Sequence, residues 1–206
     1  MTPASDRPAI DVSALPDVAS GHRDPLFWGV AGLIAIESTM LALLAGTYFY
    51  VRGNFQAWPP AEFGQRAQLV AAAEALVLAV SAVPTHLMNA AALRADVRAT
   101  RRWLLVATLA SGVFVALRGV QFTAIPFHWD RDAYASTVWG FLFLNALHGI
   151  SGFVESAVMA VLAVTGPFER KHFGDVYAGG LLWYFVVASW LPLYVVLYLA
   201  PGLLRT

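Results

Sequence analysis

The sequence contains no cysteine, which excludes disulfides, thiolate metal sites and cysteine-ligated copper centres. Charge is also scarce: 13% of the 206 residues are Asp, Glu, Lys or Arg, against about 25% in an average soluble domain. Thirteen basic residues balance thirteen acidic ones, so no global field points to nucleic acid as a partner. Histidine is nearly as rare. Of five, His22, His128 and His172 fall in the tail and loops, His86 lies near the end of an apolar segment, and His148 alone sits well inside one. A bis-histidine membrane haem needs two imidazoles at one depth, and a multi-metal redox core needs more. The chain is therefore expected to bind no haem or metal of its own. No serine, histidine and acid fall at matched depth in a catalytic grouping, so nucleophilic hydrolysis is not expected either.

What the chain has in abundance is apolar length. Apolar residues make up 59% of it, and five runs meet the requirement of about 20 residues for a helix crossing a bilayer: Leu26 to Val51, Gln68 to Ala91, Arg102 to Phe127, Ser136 to Thr165 and Val176 to Ala200. Breakers or charge bound each run, among them Pro25, Trp58-Pro59-Pro60, Asp130-Arg131-Asp132 and Pro201. The class is all-α, a polytopic bundle of five transmembrane helices over residues 26–206. The aspartate- and proline-bearing residues 1–25 read as a disordered tail that lacks the basic start and apolar core of a cleavable signal. Trp28, Tyr48, Tyr50, Trp103, Trp129 and Tyr198 fall near segment ends, where amphipathic rings prefer the membrane interface.

Loop arginines and lysines set the orientation. Arg7, Arg23, Arg94, Arg98, Arg101, Arg102, Arg170 and Lys171 share one side, whereas Arg52, Arg66, Arg131 and Arg205 share the other. The amino terminus is thus expected in the cytoplasm and the carboxyl terminus outside.

Glu37, Glu74, Arg118 and Glu155 are the charged residues inside the five runs. Each would cost several kcal/mol if left charged against lipid, so each must face protein or water. At about 1.5 Å per residue, Glu74, Arg118 and His148 fall at one level, while Glu37 and Glu155 share another nearer the amino-terminal side. Glu74 and Arg118 are expected to form an ion pair between neighbouring spans, with His148 or Gln121 completing its hydrogen bonds. A polar path for protons or a lipid headgroup is the other reading of the same residues. Glu37, with no cation at its level, is suited to sharing a proton with Glu155, to hydrogen bonding across helices, or to a lipid cleft. Small residues at four-residue spacing, Ala42 with Gly46 and Gly152 with Ser156 and Ala160, suit close helix packing. Pro84 and Pro192 should bend their helices, and Gly179-Gly180 should loosen or tightly pack the start of the fifth.

Read in order, these segments resemble subunit III of the haem-copper respiratory oxidases in its five-helix bacterial form. The likeness rests on Ile36-Glu37-Ser38-Thr39-Met40 and Thr47-Tyr48-Phe49-Tyr50-Val51-Arg52, followed by Trp58-Pro59-Pro60. It continues with Asp132-Ala133-Tyr134-Ala135-Ser136 before the fourth helix, Leu144-Asn145-Ala146-Leu147-His148 with Gly152 within it, and His172-Phe173-Gly174 with Trp183 to Trp190 in the closing helix. Departures mark a divergent member: Asn145, Tyr184, Val187 and Gln121 stand where the family has histidine, histidine, aspartate and glutamate, and Arg118 and Glu155 are additions.

The resemblance implies an accessory, cofactor-free component that is not catalytic alone, supports proton uptake and durability of a catalytic subunit I, and has subunit II as a further partner. Haem and copper would reside in those partners, phospholipid could occupy a cleft between the helices, and the location would be the bacterial cytoplasmic membrane. Glu37 is the functional carboxylate to expect, His148, Glu155 and Trp183 are cleft or packing positions, and Glu74 with Arg118 is a pair peculiar to this chain. Two competitors stand beside this reading: a subunit III-like partner of nitric oxide reductase, and a small transporter or channel using the buried charges as its pathway.

Overall fold

A computed structural model describes residues 24–203, and within them the chain forms helices and turns without strands. The expected tail lies outside the described residues, apart from Asp24 and Pro25. Five helices are long and apolar enough to cross a membrane: α1 (Pro25–Arg52), α2 (Gln65–Leu93), α3 (Val97–Ala124), α4 (Ala133–Thr165) and α5 (Phe173–Tyr194), the last continued by a π-helical turn over Val195–Leu199.

Aspartates start three of the helices. Asp24 Oδ1 accepts from Leu26 N at 2.9 Å, Asp96 Oδ1 from Ala99 N at 3.0 Å and Asp132 Oδ1 from Ala135 N at 2.8 Å. Each carboxylate satisfies an orphan amide and sits at the positive end of the helix dipole. These caps explain why α3 begins at Val97 and not at Arg102, and α4 at Ala133 and not at Ser136. At the other end of α3, Pro126 disfavours helical geometry at Ile125, whose ψ is 124°, and the helix stops at Ala124 instead of running to Phe127.

α2 packs between α3 and α5, α4 lies against both α3 and α5, and α1 lies outermost on α4 and α5. The starts of α1, α3 and α5 meet the ends of α2 and α4; this end of the bundle is called the amino-terminal side below. The most apolar stretch of α1 has no buried residue. Its outward stripe runs through Leu33, Ile36, Met40, Leu43 and Tyr50, all exposed.

Two glycines permit the tight contacts. A Cβ on Gly180 would collide with the buried Asn89 amide where α5 meets α2, and one on Gly149 would collide with the Phe114 ring where α4 meets α3. The glycine pair of α5 thus packs tightly. Gly46 has nothing nearby to pack against, so the Ala42 and Gly46 pair makes no close helix contact, whereas Gly152 lies under Trp183. Gly180→Ala is expected to destabilise the bundle by about 1–3 kcal/mol through overpacking. Thermal unfolding in detergent should show that loss, and Asn89→Ala in the same chain should restore much of it.

Tyr48 and Tyr198 do not join the interface belt. Tyr48 is 2% exposed, edge-on to Trp58 at 5.1 Å and to Phe141 at 6.2 Å, with its hydroxyl directed to Val196 O at 3.4 Å. Tyr198 stacks on Phe63 at 4.3 Å. The loop carrying Trp58 folds back over the helix ends and covers both rings, which position along the sequence does not reveal. Trp28, Tyr50 and Trp129 do remain exposed.

Candidate functional site

Three polar groupings lie within the apolar bundle. The first is centred on Arg118, 2% exposed on α3. Its Nε lies 3.4 Å from Glu74 Oε1 on α2. One terminal nitrogen donates to Gln121 Oε1 one turn further along α3, and the other to Asn145 Oδ1 on α4 at 2.8 Å. Gln121 in turn donates to the Tyr198 hydroxyl at 2.8 Å. The guanidinium plane lies 4.0 Å from the centre of the Trp190 ring and 5.1 Å from that of Phe114, a cation–π sandwich. One buried cation thereby joins α2, α3, α4 and the end of α5. The cluster is formally neutral, as its complete enclosure requires. Glu74, with 0% exposure, makes no hydrogen bond in it and is held by charge alone.

The second grouping joins α1 to α4. His148 Nε2 lies 3.1 Å from Glu37 Oε2, the two side chains 11% and 18% exposed. The imidazole meets the Phe185 ring of α5 edge-on at 5.4 Å. The sequence places His148 level with Arg118 and leaves Glu37 without a basic neighbour; the structure instead gives Glu37 the imidazole and leaves the arginine to Gln121 and Asn145. Residue counts measure height along straight parallel helices. They miss tilt, the several ångströms of reach in a glutamate and a histidine, and which way each residue faces. This pair is the chief polar link between the outermost helix and the bundle, and it lies beside lipid-facing surface.

The third grouping includes Glu155, which lies apart from that pair. It lines a cavity between α2, α3, α4 and α5 together with Asp175, Ser111, Ser156, Thr85 and the Trp183 ring. Trp183, 5% exposed, donates its indole N–H to Ser81 Oγ at 2.8 Å and so pins α5 to α2. Among the described residues, no three of His, Asp and Glu converge in a metal-binding arrangement.

The chain is similar to a cytochrome c oxidase subunit 3. Identity to that protein from Thermostichus vulcanus is 26% over 191 residues, covering 89% of this chain and 91% of the relative. No protein-family model matches the chain. The matched share, 89% of the chain, is far longer than any single helix, so the likeness is not carried by one apolar helix.

Some of the site could have been read earlier. Arg118, Gln121 and Asn145, each set apart in the sequence from the pattern of the resembled family, meet at one guanidinium that donates to both carboxamides. An added arginine beside two carboxamides that replace titratable groups is a pattern of compensation. Tyr198 and Trp190 gave no such signal, because aromatic residues are common in any membrane helix.

Proposed function

We propose that this chain is an accessory, cofactor-free subunit of a haem-copper oxidase in the bacterial cytoplasmic membrane, packed beside the catalytic subunit I with subunit II nearby. The observation that carries the reading is the likeness to a cytochrome c oxidase subunit 3 over 89% of the chain, in a bundle of five helices long and apolar enough to cross a membrane. The chemistry of the chain agrees with it. Its buried ionisable side chains pair within the chain, Arg118 with Glu74 and His148 with Glu37, which suits a supporting subunit. The exposed stripe on α1 from Leu33 to Tyr50 offers a surface to lipid or to a neighbouring subunit, and the lipids and haem-bearing partners supply what this chain lacks. The basic loops support a cytoplasmic amino-terminal side.

In this role the Glu37 and His148 contact fixes the outer helix and places a carboxylate at the edge of the subunit. Glu37 is the functional carboxylate in this reading, and the helix pair supports proton uptake and durability of subunit I. The Glu74 and Arg118 pair serves this particular bundle. Trp183 is a packing position, fixed by its bond to Ser81.

A complex purified from cells lacking this chain tests the role. Its haem spectrum is expected to match that of the complete complex, while its oxygen consumption decays faster during turnover and returns to normal durability when the chain is added back. Identical decay with and without the chain would count against the proposal. If reduction of nitric oxide and not oxygen tracks the chain, the partner enzyme has been misassigned while the accessory role stands.

A further inference from the structure

The cavity between α2, α3, α4 and α5 has a largely apolar wall broken by five polar side chains, Thr85, Ser111, Ser156, Glu155 and Asp175. Thr85 Oγ1 gives its proton to Ser81 O at 2.9 Å and Ser111 Oγ to Thr108 O at 2.9 Å. Thr108 Oγ1 lies 2.9 Å from Leu104 O, 3.2 Å from Ser156 O and 2.6 Å from Ser156 Oγ, and either hydroxyl can be the donor in the last contact. The Thr85 and Ser111 hydroxyls have thus given their protons to their own helices and present lone pairs to the space. The two charged residues on its wall, Glu155 on α4 and Asp175 on α5, are carboxylates. Neither forms an ion pair with a described cation; Lys171 is engaged with Glu169 at 3.1 Å.

The cavity volume is about 30 Å³ for the centres of water-sized molecules, room for one or a few waters. A second buried group lies behind its wall, on the other side of Gly180. Asn89, 5% exposed, has neither amide atom hydrogen-bonded, and its carboxamide presses against Gly180 on the cavity wall. The acceptor oxygens of Thr85, Ser111, Glu155 and Asp175 on its wall suit an occupant that donates hydrogen bonds, such as water.

Asp175 is exposed at the first turn of α5, and the Asp24 carboxylate lies against the adjacent Gly174. The mouth is therefore acidic and on the amino-terminal side, while the Glu155 carboxylate lies against Gly179, about one helical turn further along α5. α2 and α3 contribute Thr85 and Ser111 to the lining and no charged side chain, so Asp175 is the ionisable group on the wall opposite Glu155.

We propose that this cavity is a hydrated proton-binding site in which Glu155 takes up and releases a proton through water, with Asp175 as the surface group that passes it on. The transfer is a proton exchange: a hydronium ion at the mouth protonates Asp175, cavity water relays the proton to the Glu155 carboxylate, and the reverse steps return it. No other bond changes. The site is separate from Glu37 and His148, and it holds whatever partner the chain has.

Infrared spectroscopy on the full chain in its membrane complex tests this. Transfer into deuterated water is expected to shift a protonated-carboxyl stretch within minutes, and Glu155→Gln should delete that band. Asp175→Asn should keep it but slow its exchange several-fold. Gly179→Ala, which places a methyl group 2.9 Å from Glu155 Oε1, should displace the band without removing it. An unchanged thermal unfolding midpoint in Glu155→Gln would show that the lost band does not reflect a lost fold.

A Glu155 band that resists deuteration for hours would show a dry cavity and overturn the proposal. So would exchange unaffected by Asp175→Asn. Disappearance of the band on adding sodium, but not choline, at constant pH would identify a metal-cation site in place of a proton site. Failure of the accessory-subunit role would leave the infrared result standing, because the measurement reads Glu155 directly.

Discussion

Arg118→Met is expected to destabilise the bundle by about 3–5 kcal/mol, the usual consequence of removing one member of a buried ion pair. The substitution strands the Glu74 carboxylate, which has 0% exposure and no hydrogen bond of its own. It also takes the donors from Gln121 and Asn145 and the cation from the face of Trp190. Glu74→Leu alone should be comparably damaging, because it leaves an unpaired guanidinium in the same enclosure. The double variant removes both charges and should recover a large part of the loss, the remainder reflecting the two orphaned carboxamides. A double-mutant cycle on thermal unfolding in detergent measures this. Simple additivity of the two single losses would show that the two charges are not coupled.

The second large effect is expected at the contact between α1 and α4. His148→Leu leaves Glu37 without its basic neighbour at the edge of the bundle, and Glu37→Leu leaves the imidazole, itself without a hydrogen bond at Nδ1, equally alone. The coupling energy between the two positions should fall at about 1–3 kcal/mol, the upper part of the range for polar groups in direct contact. Because α1 packs on α4 and α5 at the outside of the bundle, the loss should appear as local loosening of α1. Faster hydrogen exchange in α1, with α2 and α3 unchanged, is the expected pattern. Uniform acceleration across all five helices would mean that the contact supports the whole fold and not the outer helix alone.

The span count was legible because lipid imposes a long apolar run on every crossing, and no soluble alternative produces five of them. The helix starts were less legible. Asp96 and Asp132 are ordinary capping residues, but a hydropathy reading passes over Val97 to Arg101 because the arginines there look like loop. Partner choice was the least legible feature. Glu74 and Arg118 could be matched by height, since each sits deep in one of two consecutive antiparallel helices. Glu37 could not be matched to His148, because height says nothing of azimuth or tilt. Glu155 carried a similar ambiguity, resolved by the space it shares with Asp175 rather than with Glu37. Tyr48 and Tyr198 looked like interface anchors until the loop around Trp58 was seen to cover them.

The charge pattern gains meaning from this arrangement. Arg118, Gln121 and Asn145 replace or add to the titratable groups of the resembled family and build an enclosed, neutral network. Glu37 with His148, and Glu155 with Asp175, keep titratable groups near the surface of the bundle. The first network is enclosed among α2, α3, α4 and the end of α5, whereas Glu37 with His148 links the outer helix to α4 and Asp175 is exposed.

Purification of an affinity-tagged copy of this chain in mild detergent tests the accessory role most directly. Catalytic oxidase polypeptides should copurify, with a haem absorption spectrum in fixed ratio to the chain, and the spectrum should vanish from the tagged fraction once stronger detergent strips the partner away. Recovery of the chain without haem proteins under the mildest conditions, or stoichiometric haem retained by the stripped polypeptide, would contradict it.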